Sequence, residues 1–347
     1  MTIQNIEDVE GTFYFVCEAC LSIYADTLSW CNAYPERVSK YADQTDNIVI
    51  LSCQVTDLSI LNDLNKAKLY HEKYPEKIIW ISGCLAERED IILPDYCNRL
   101  HQPRKNYQRI IDNTMVYFDD PFWVKNFVQY QKDDFKSGNL FRYHYPLRIG
   151  KGCNFNCTYC SIKKCRGQYE EYNNYNSVDE LLYTYKYVNK NIVLVADSPT
   201  VEQMKYWIKI VKDNNIKISI RNIEPQITMK IKDELVDIAR LGLLNIFHCP
   251  VQSSDIEVLK DMGRHVDDTI SYINVLSKVL KENGVKLATN IIIDYKNYLN
   301  NFSQIYNIFD VVSWNPYWDG KFDMNNAQIR WTKYIENYKN VEDRIKR

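Results

Sequence analysis

Short apolar runs that end in loops alternate along the chain with longer stretches whose apolar positions recur every three or four residues. The first pattern predicts buried strands and the second amphipathic helices, so their alternation predicts βα units around a largely parallel sheet. In the first half, strands are expected over residues 12–16, 47–51 and 77–82, with helices near 25–41 and 59–73 and a fourth strand over 114–118. Residues 119–139 mix aromatics with charges and carry little strand character. The domain boundary is placed there, giving an N-terminal parallel-sheet α/β domain over residues 1–135 and a second domain over 140–347. The second half reads as about six βα units, with strands near 145–149, 192–196, 217–220, 245–251, 286–293 and 308–313. That count predicts an open, partial (β/α)6 barrel, in which chemistry gathers at the carboxyl ends of the strands. Residues 327–347 read as a polar helix.

The length, 347 residues, suits two domains with a core each. Lys plus Arg (43) nearly balance Asp plus Glu (45), so no net field draws the chain to nucleic acid or a membrane surface. The first residues are acidic and polar, and no apolar run is long enough to span a bilayer. A cytoplasmic protein is therefore expected. Eleven cysteines in such a protein point to metal or redox chemistry, since a reducing compartment keeps thiols free.

The strongest chemical signal is Cys153, Cys157 and Cys160, a CxxxCxxC directly after the strand that ends at Ile149. Three thiolates in one loop can hold three corners of an iron–sulfur cubane and leave its fourth iron open to substrate. Structural zinc, the rival, requires four ligands, and Cys165 alone stands nearby. This spacing, with aromatic Tyr159 just before the last cysteine, resembles the hallmark of the radical S-adenosylmethionine (SAM) superfamily. The resemblance implies a [4Fe-4S] cluster whose open iron binds SAM, a 5′-deoxyadenosyl radical, and an external electron donor such as flavodoxin or ferredoxin.

Cys20, Cys53 and Cys84 each lie at or just beyond the carboxyl end of an expected strand. Parallel packing brings such ends together, enough for a second cluster; each alone reads rather as a buried apolar cysteine, and the repeated position on the strand shifts that balance. Ala19-Cys20 with Asp26, Ser52-Cys53-Gln54-Val55, Gly83-Cys84-Leu85-Ala86, the run 148–167, Ile223-Glu224-Pro225 and the run 248–264 together resemble the methylthiotransferases. These modify a tRNA adenosine or a ribosomal-protein aspartate. The resemblance implies two [4Fe-4S] clusters: one SAM methylates a sulfur at the auxiliary cluster, and a second supplies the radical that opens a C–H bond. It also implies cofactor-binding roles for Tyr159, Glu224, Gln252 and Arg264, with Arg264 suited to a two-point grip on the SAM carboxylate. The bland alternatives are a surface ion pair for Arg264, pairing with Arg221 for Glu224, and a hydrogen-bonded core residue for His248. Cys17, Cys31, Cys97, Cys165 and Cys249 carry no family role.

The chain departs from the family in three places. Too few residues follow the sixth strand for a basic C-terminal β domain, Glu170 and Glu171 stand where an arginine-rich run is usual, and Asp294-Tyr295-Lys296 replaces a glycine-proline turn. Less positive charge weakens the phosphate contacts that RNA needs. The expected substrate is therefore a peptide or protein, such as a ribosomally made natural-product precursor. Three alternatives stay open: a tRNA methylthiotransferase; a peptide epimerase or crosslinking enzyme whose auxiliary cluster relays electrons; and a non-catalytic metal-binding protein.

Overall fold

The computed structural model describes residues 3–17, 20–54, 57–102, 110–111, 114–115, 141, 144–172, 175–264, 269–293 and 308–316. Its contacts group into two compact units, one holding Met1–Arg148 with Lys164–Arg166, the other Ile149–Lys163 and Gly167–Lys321.

The first unit carries a four-stranded sheet of β1 (Phe13–Cys17), β2 (Asn47–Ser52), β3 (Ile78–Gly83) and β4 (Cys97–Leu100), in that order. All neighbours run parallel. Helices α1 (Leu21–Ala33) and α2 (Asp57–Lys73) follow the first two strands. Every residue of β2 is buried, as expected of a central parallel strand covered on both faces. Asn47 lies on that strand because its amide is fully used: Nδ2 donates to the Glu10 and Thr12 carbonyls, and Oδ1 accepts from Trp80 Nε1.

The first helix stops at Ala33 and not at residue 41, since Pro35 lacks the N–H that another turn would need. The fourth sheet strand is Cys97–Leu100, which the sequence reading passed over. The expected strand at 114–118 is only Thr114–Met115, paired antiparallel with Ile110–Ile111 outside the sheet, and residues 116–118 lie outside the described residues. Neither the segment 119–139 nor the expected helix 327–347 belongs to the described residues.

A six-stranded sheet follows: β5 (Tyr145–Arg148), β6 (Ile192–Val195), β7 (Ile218–Arg221), β8 (Leu244–His248), β9 (Lys286–Ile293) and β10 (Val311–Pro316). Their spatial order equals their sequence order, and from β6 on each pair is parallel. This is the partial-barrel arrangement of βα units. The helix Val201–Asp213 shows why the faces close: Met204, Trp207, Ile208 and Val211 recur at helical spacing and are buried, while Thr200 caps its start by accepting from the Gln203 N–H at 3.1 Å. Strand β8 ends at His248 because the following Cys249-Pro250 removes a ladder donor.

Candidate active site

The cysteine triplet lies in a loop closed at its base by a two-residue ribbon, Gly150–Lys151 against Glu170–Glu171. Hydrogen bonds hold the loop shut: Cys153 N donates to Gly167 O at 3.2 Å, Tyr169 N to Asn154 Oδ1 at 3.2 Å, and Gly152 N to Asp197 Oδ2 at 3.0 Å. Gly152 has φ +83°, and a Cβ there would collide with the Gln168 carbonyl, so no side chain fits this entry to the loop. The far side is anchored on the turn after the helix Ile256–Asp261, where Thr158 N donates to Met262 O at 3.0 Å and Thr158 Oγ1 to Asp261 O at 3.1 Å.

Burial raises the thiol pKa of Cys157, and pushes that of Cys160 up to about 12. The Arg264 guanidinium pulls both down, while Cys153 raises both. The Cys157 and Cys160 sulfurs therefore share the field of one cation and of the neighbouring Cys153. That arrangement fits a group that binds thiolates, because a bound cationic centre would offset the burial penalty on the Cys157 and Cys160 thiolates.

Arg264 organises the polar side of the site. Its Nη1 donates to Tyr159 Oη at 2.6 Å, its Nη2 donates to Pro250 O at 2.9 Å, and its guanidinium pairs with the Glu224 carboxylate. Glu224 thus pairs with Arg264 and not with Arg221. Tyr159 is fixed from its other face by packing on Val258, Leu259, Met262 and Ile292. Burial raises its phenol pKa well above the ordinary value, so it stays a neutral hydrogen-bonding partner.

Gln252 occupies the left-handed region at φ +69°, uncommon for a residue with a side chain. Its backbone is held by β9 on both sides, N donating to Asn290 O at 2.8 Å and O accepting from Ile292 N at 2.9 Å. The side-chain Oε1 is buried and makes no hydrogen bond among the described residues. A strained backbone with a buried, unused amide oxygen is the kind of position that awaits a ligand donor. His248 is of the opposite kind: Nδ1 accepts from Asn222 N and Nε2 faces Asn290 Oδ1, each at 3.2 Å, which fixes the neutral ring with its proton on Nε2. Burial, reinforced by Arg221, lowers its pKa to about 3.

In the first unit, Cys53 directly follows β2 and Cys84 directly follows β3, while Cys20 caps α1. Gly83, at φ +90° with a built Cβ only 2.5 Å from Ser52 O, lets β3 turn closely past β2 just before Cys84. Cys53 N donates to Asp63 Oδ2 at 2.9 Å, and burial lifts the Asp63 carboxyl to about 7. Arg166 Nη2 lies 3.8 Å from Cys20 Sγ. Cys84 is the hydrogen-bond partner of Cys165, whose sulfur also accepts from Gln54 Nε2.

No group of three His, Cys, Asp or Glu among the described residues is gathered tightly enough for a single metal ion. A tetrahedral ion with metal–sulfur bonds of about 2.3 Å demands sulfurs ~3.7 Å apart. A cubane takes each thiolate on a different iron and so accepts a wider spread. Sequence reasoning missed Asp63, Asp197 and the Gln54–Cys165 contact. Asp197, two residues past β6, could have been found by inspecting strand ends; the other two had no sequence signal.

Residues 147–304 match the family described as the radical SAM superfamily. The ribosomal protein uS12 methylthiotransferase RimO of Clostridium botulinum strain Hall is 25% identical over 256 residues, covering 68% of this chain and 56% of that protein. A probable threonylcarbamoyladenosine tRNA methylthiotransferase of Methanothermobacter thermautotrophicus is 26% identical over 271 residues, covering 73% and 62%. The chain thus spans less than two thirds of the length of these relatives. Among solved structures, the cobalamin- and [4Fe-4S]-bound radical SAM methyltransferase TsrM of Kitasatospora setae superposes with a TM-score of 0.56 at 8% identity, over 91% of this chain and 75% of that one. The cobalamin-dependent radical SAM enzyme OxsB gives 0.53 at 11% identity, over 88% and 51%. Those likenesses are of fold. Among the described residues, no helix is long and apolar enough to cross a membrane. The matched span, the partial barrel and the cysteine triplet coincide, and the chain carries a radical SAM superfamily domain.

Proposed function

We propose that the protein is a radical SAM enzyme that modifies a peptide or protein at an unactivated C–H bond, with Cys153, Cys157 and Cys160 holding a [4Fe-4S] cluster. The single observation that carries this reading is Arg264, whose guanidinium acts on the Cys157 and Cys160 thiols of the triplet and touches Tyr159 and Glu224. When bound, the cluster and SAM would supply the 5′-deoxyadenosyl radical. The chain's own residues bind and orient: Arg264 offers a planar fork for a carboxylate, Glu224 and Gln252 Oε1 are acceptors for an ammonium or hydroxyl, and Tyr159 with its apolar packing excludes water.

In the first unit we assign Cys20, Cys53 and Cys84 to an auxiliary iron–sulfur site. Two roles follow for it. As an electron relay, it would serve a peptide-modifying reaction, a reading supported by the fold shared with TsrM and OxsB, radical SAM enzymes that are not named as methylthiotransferases. As a sulfur source, it would serve methylthio transfer, a reading supported by the sequence similarity to a ribosomal-protein and a tRNA methylthiotransferase. Glu170 and Glu171 beside the triplet loop disfavour tRNA as substrate. The test is anaerobic reconstitution followed by reduction with SAM present. 5′-Deoxyadenosine must form and must vanish in the C157A variant; S-adenosylhomocysteine beside it selects methylthio transfer, and its absence selects the relay. A reconstituted, reduced protein that forms no 5′-deoxyadenosine overturns the proposal.

A further inference from the structure

Cys165 lies against Cys84 in the first unit. The segment Lys164–Arg166 groups with that unit, separately from the loop of Cys153, Cys157 and Cys160 before it. Contacts from that segment reach Cys84, Cys20 and the neighbour of Cys53: Cys84 hydrogen-bonds the Cys165 thiol, Arg166 reaches Cys20 Sγ at 3.8 Å, and Gln54, next to Cys53, donates its Nε2 to Cys165 Sγ. Gln54 is locked in that pose, since Arg88 Nη1 donates to its Oε1 at 3.0 Å and leaves the NH2 to face sulfur. Cys165 and Cys84 are both 6% exposed and are not joined in a disulfide.

We infer that Cys165 is a fourth protein ligand of the auxiliary iron–sulfur site, completing the set Cys20, Cys53, Cys84 and Cys165. This rests on the auxiliary site proposed above and deepens it. A buried thiol touching one ligand, with an amide N–H aimed at its sulfur beside a second and a guanidinium beside a third, matches the surroundings of a cluster thiolate, where outer hydrogen bonds to sulfur are the rule. Binding releases the thiol proton, and the guanidinium groups of Arg88 and Arg166 offset the added negative charge. Four cysteines leave no vacant iron. Such a cluster passes electrons and offers no corner for an exogenous sulfur, which favours the relay among the two roles.

The experiment uses the full chain with Cys153, Cys157 and Cys160 all changed to Ala, reconstituted anaerobically so that the auxiliary site alone takes iron. The expected result is the iron and sulfide of one cubane, and a reduced-state EPR spectrum that added methanethiol leaves unchanged. With C165A or the near-isosteric C165S added, the spectrum should shift, and in C165A it should respond to methanethiol. If the background spectrum already moves with methanethiol while Cys165 is intact, or if both Cys165 variants leave it unaltered, the inference is overturned. A folded background that takes up no iron removes the auxiliary site itself, a different failure from the loss of the fourth ligand alone. Far-UV circular dichroism and a urea midpoint on C165S establish that fold is retained.

Discussion

The carboxylate of Asp26 on α1 accepts from Arg148 Nε, the last residue of β5, at 2.8 Å, with both side chains 2% exposed. The same carboxylate takes Gln102 Nε2 at 3.0 Å. Residues 122 positions apart in sequence are thereby joined in a buried charge pair within the first unit. Removing one partner strands the other charge out of water. D26N or R148M should lower the unfolding free energy by about 3–5 kcal/mol, read from urea denaturation. A change below ~1 kcal/mol would mean that water reaches the pair.

Arg264 makes its contacts through a planar fork that an ammonium cannot copy. R264K should therefore weaken SAM binding on the order of tenfold, about 1.4 kcal/mol, in anaerobic calorimetry on reconstituted protein, with the iron content unchanged. Undiminished affinity would remove Arg264 from the SAM pocket.

Gln252 allows strain and function to be separated. Its left-handed backbone costs a side-chain-bearing residue about 1–2 kcal/mol relative to glycine. Q252G should be more stable than Q252A by roughly 1 kcal/mol, while both lose SAM affinity equally because both lack the amide. Equal stability of the two would show that the backbone there relaxes once the side chain is cut.

Acid should destabilise the fold through His248. Its folded-state pKa is depressed to about 3 from an ordinary 6.5, so between those values the unfolded chain binds more protons than the folded one. The stability is complete above pH 6.5 and is lost as pH falls toward 3. His144, lowered by burial to about 4, acts in the same direction over a narrower range. H248Q, which can keep the partners Asn222 and Asn290 without titrating, should flatten the dependence by up to about 1.4 kcal/mol per pH unit, followed by urea unfolding from neutral to acid pH. An unchanged slope would mean that the ring charges in place.

The two sheets were legible as alternating apolar runs and amphipathic stretches because parallel strands covered on both faces are nearly all apolar, as β2 is. The cysteine triplet was legible too: its three cysteines fall within eight residues, where spacing and geometry are nearly the same thing. Other features were hidden. The four-residue β4, in which Cys97 is followed by a polar Asn98 and a charged Arg99, reads as loop until Arg99 is seen donating into the carbonyls of Leu85 and Ala86.

The linear order of residues determined the classes of element, their succession and the presence of a cysteine-rich loop after a barrel strand, because these follow from local period and short spacing. The tertiary structure alone decided that Asp26 meets Arg148, that Glu224 chooses Arg264 over Arg221, and that Cys165 comes to rest beside Cys84. Those pairings join residues from 40 to 122 positions apart, and are set by where the packed elements end, which no local pattern encodes.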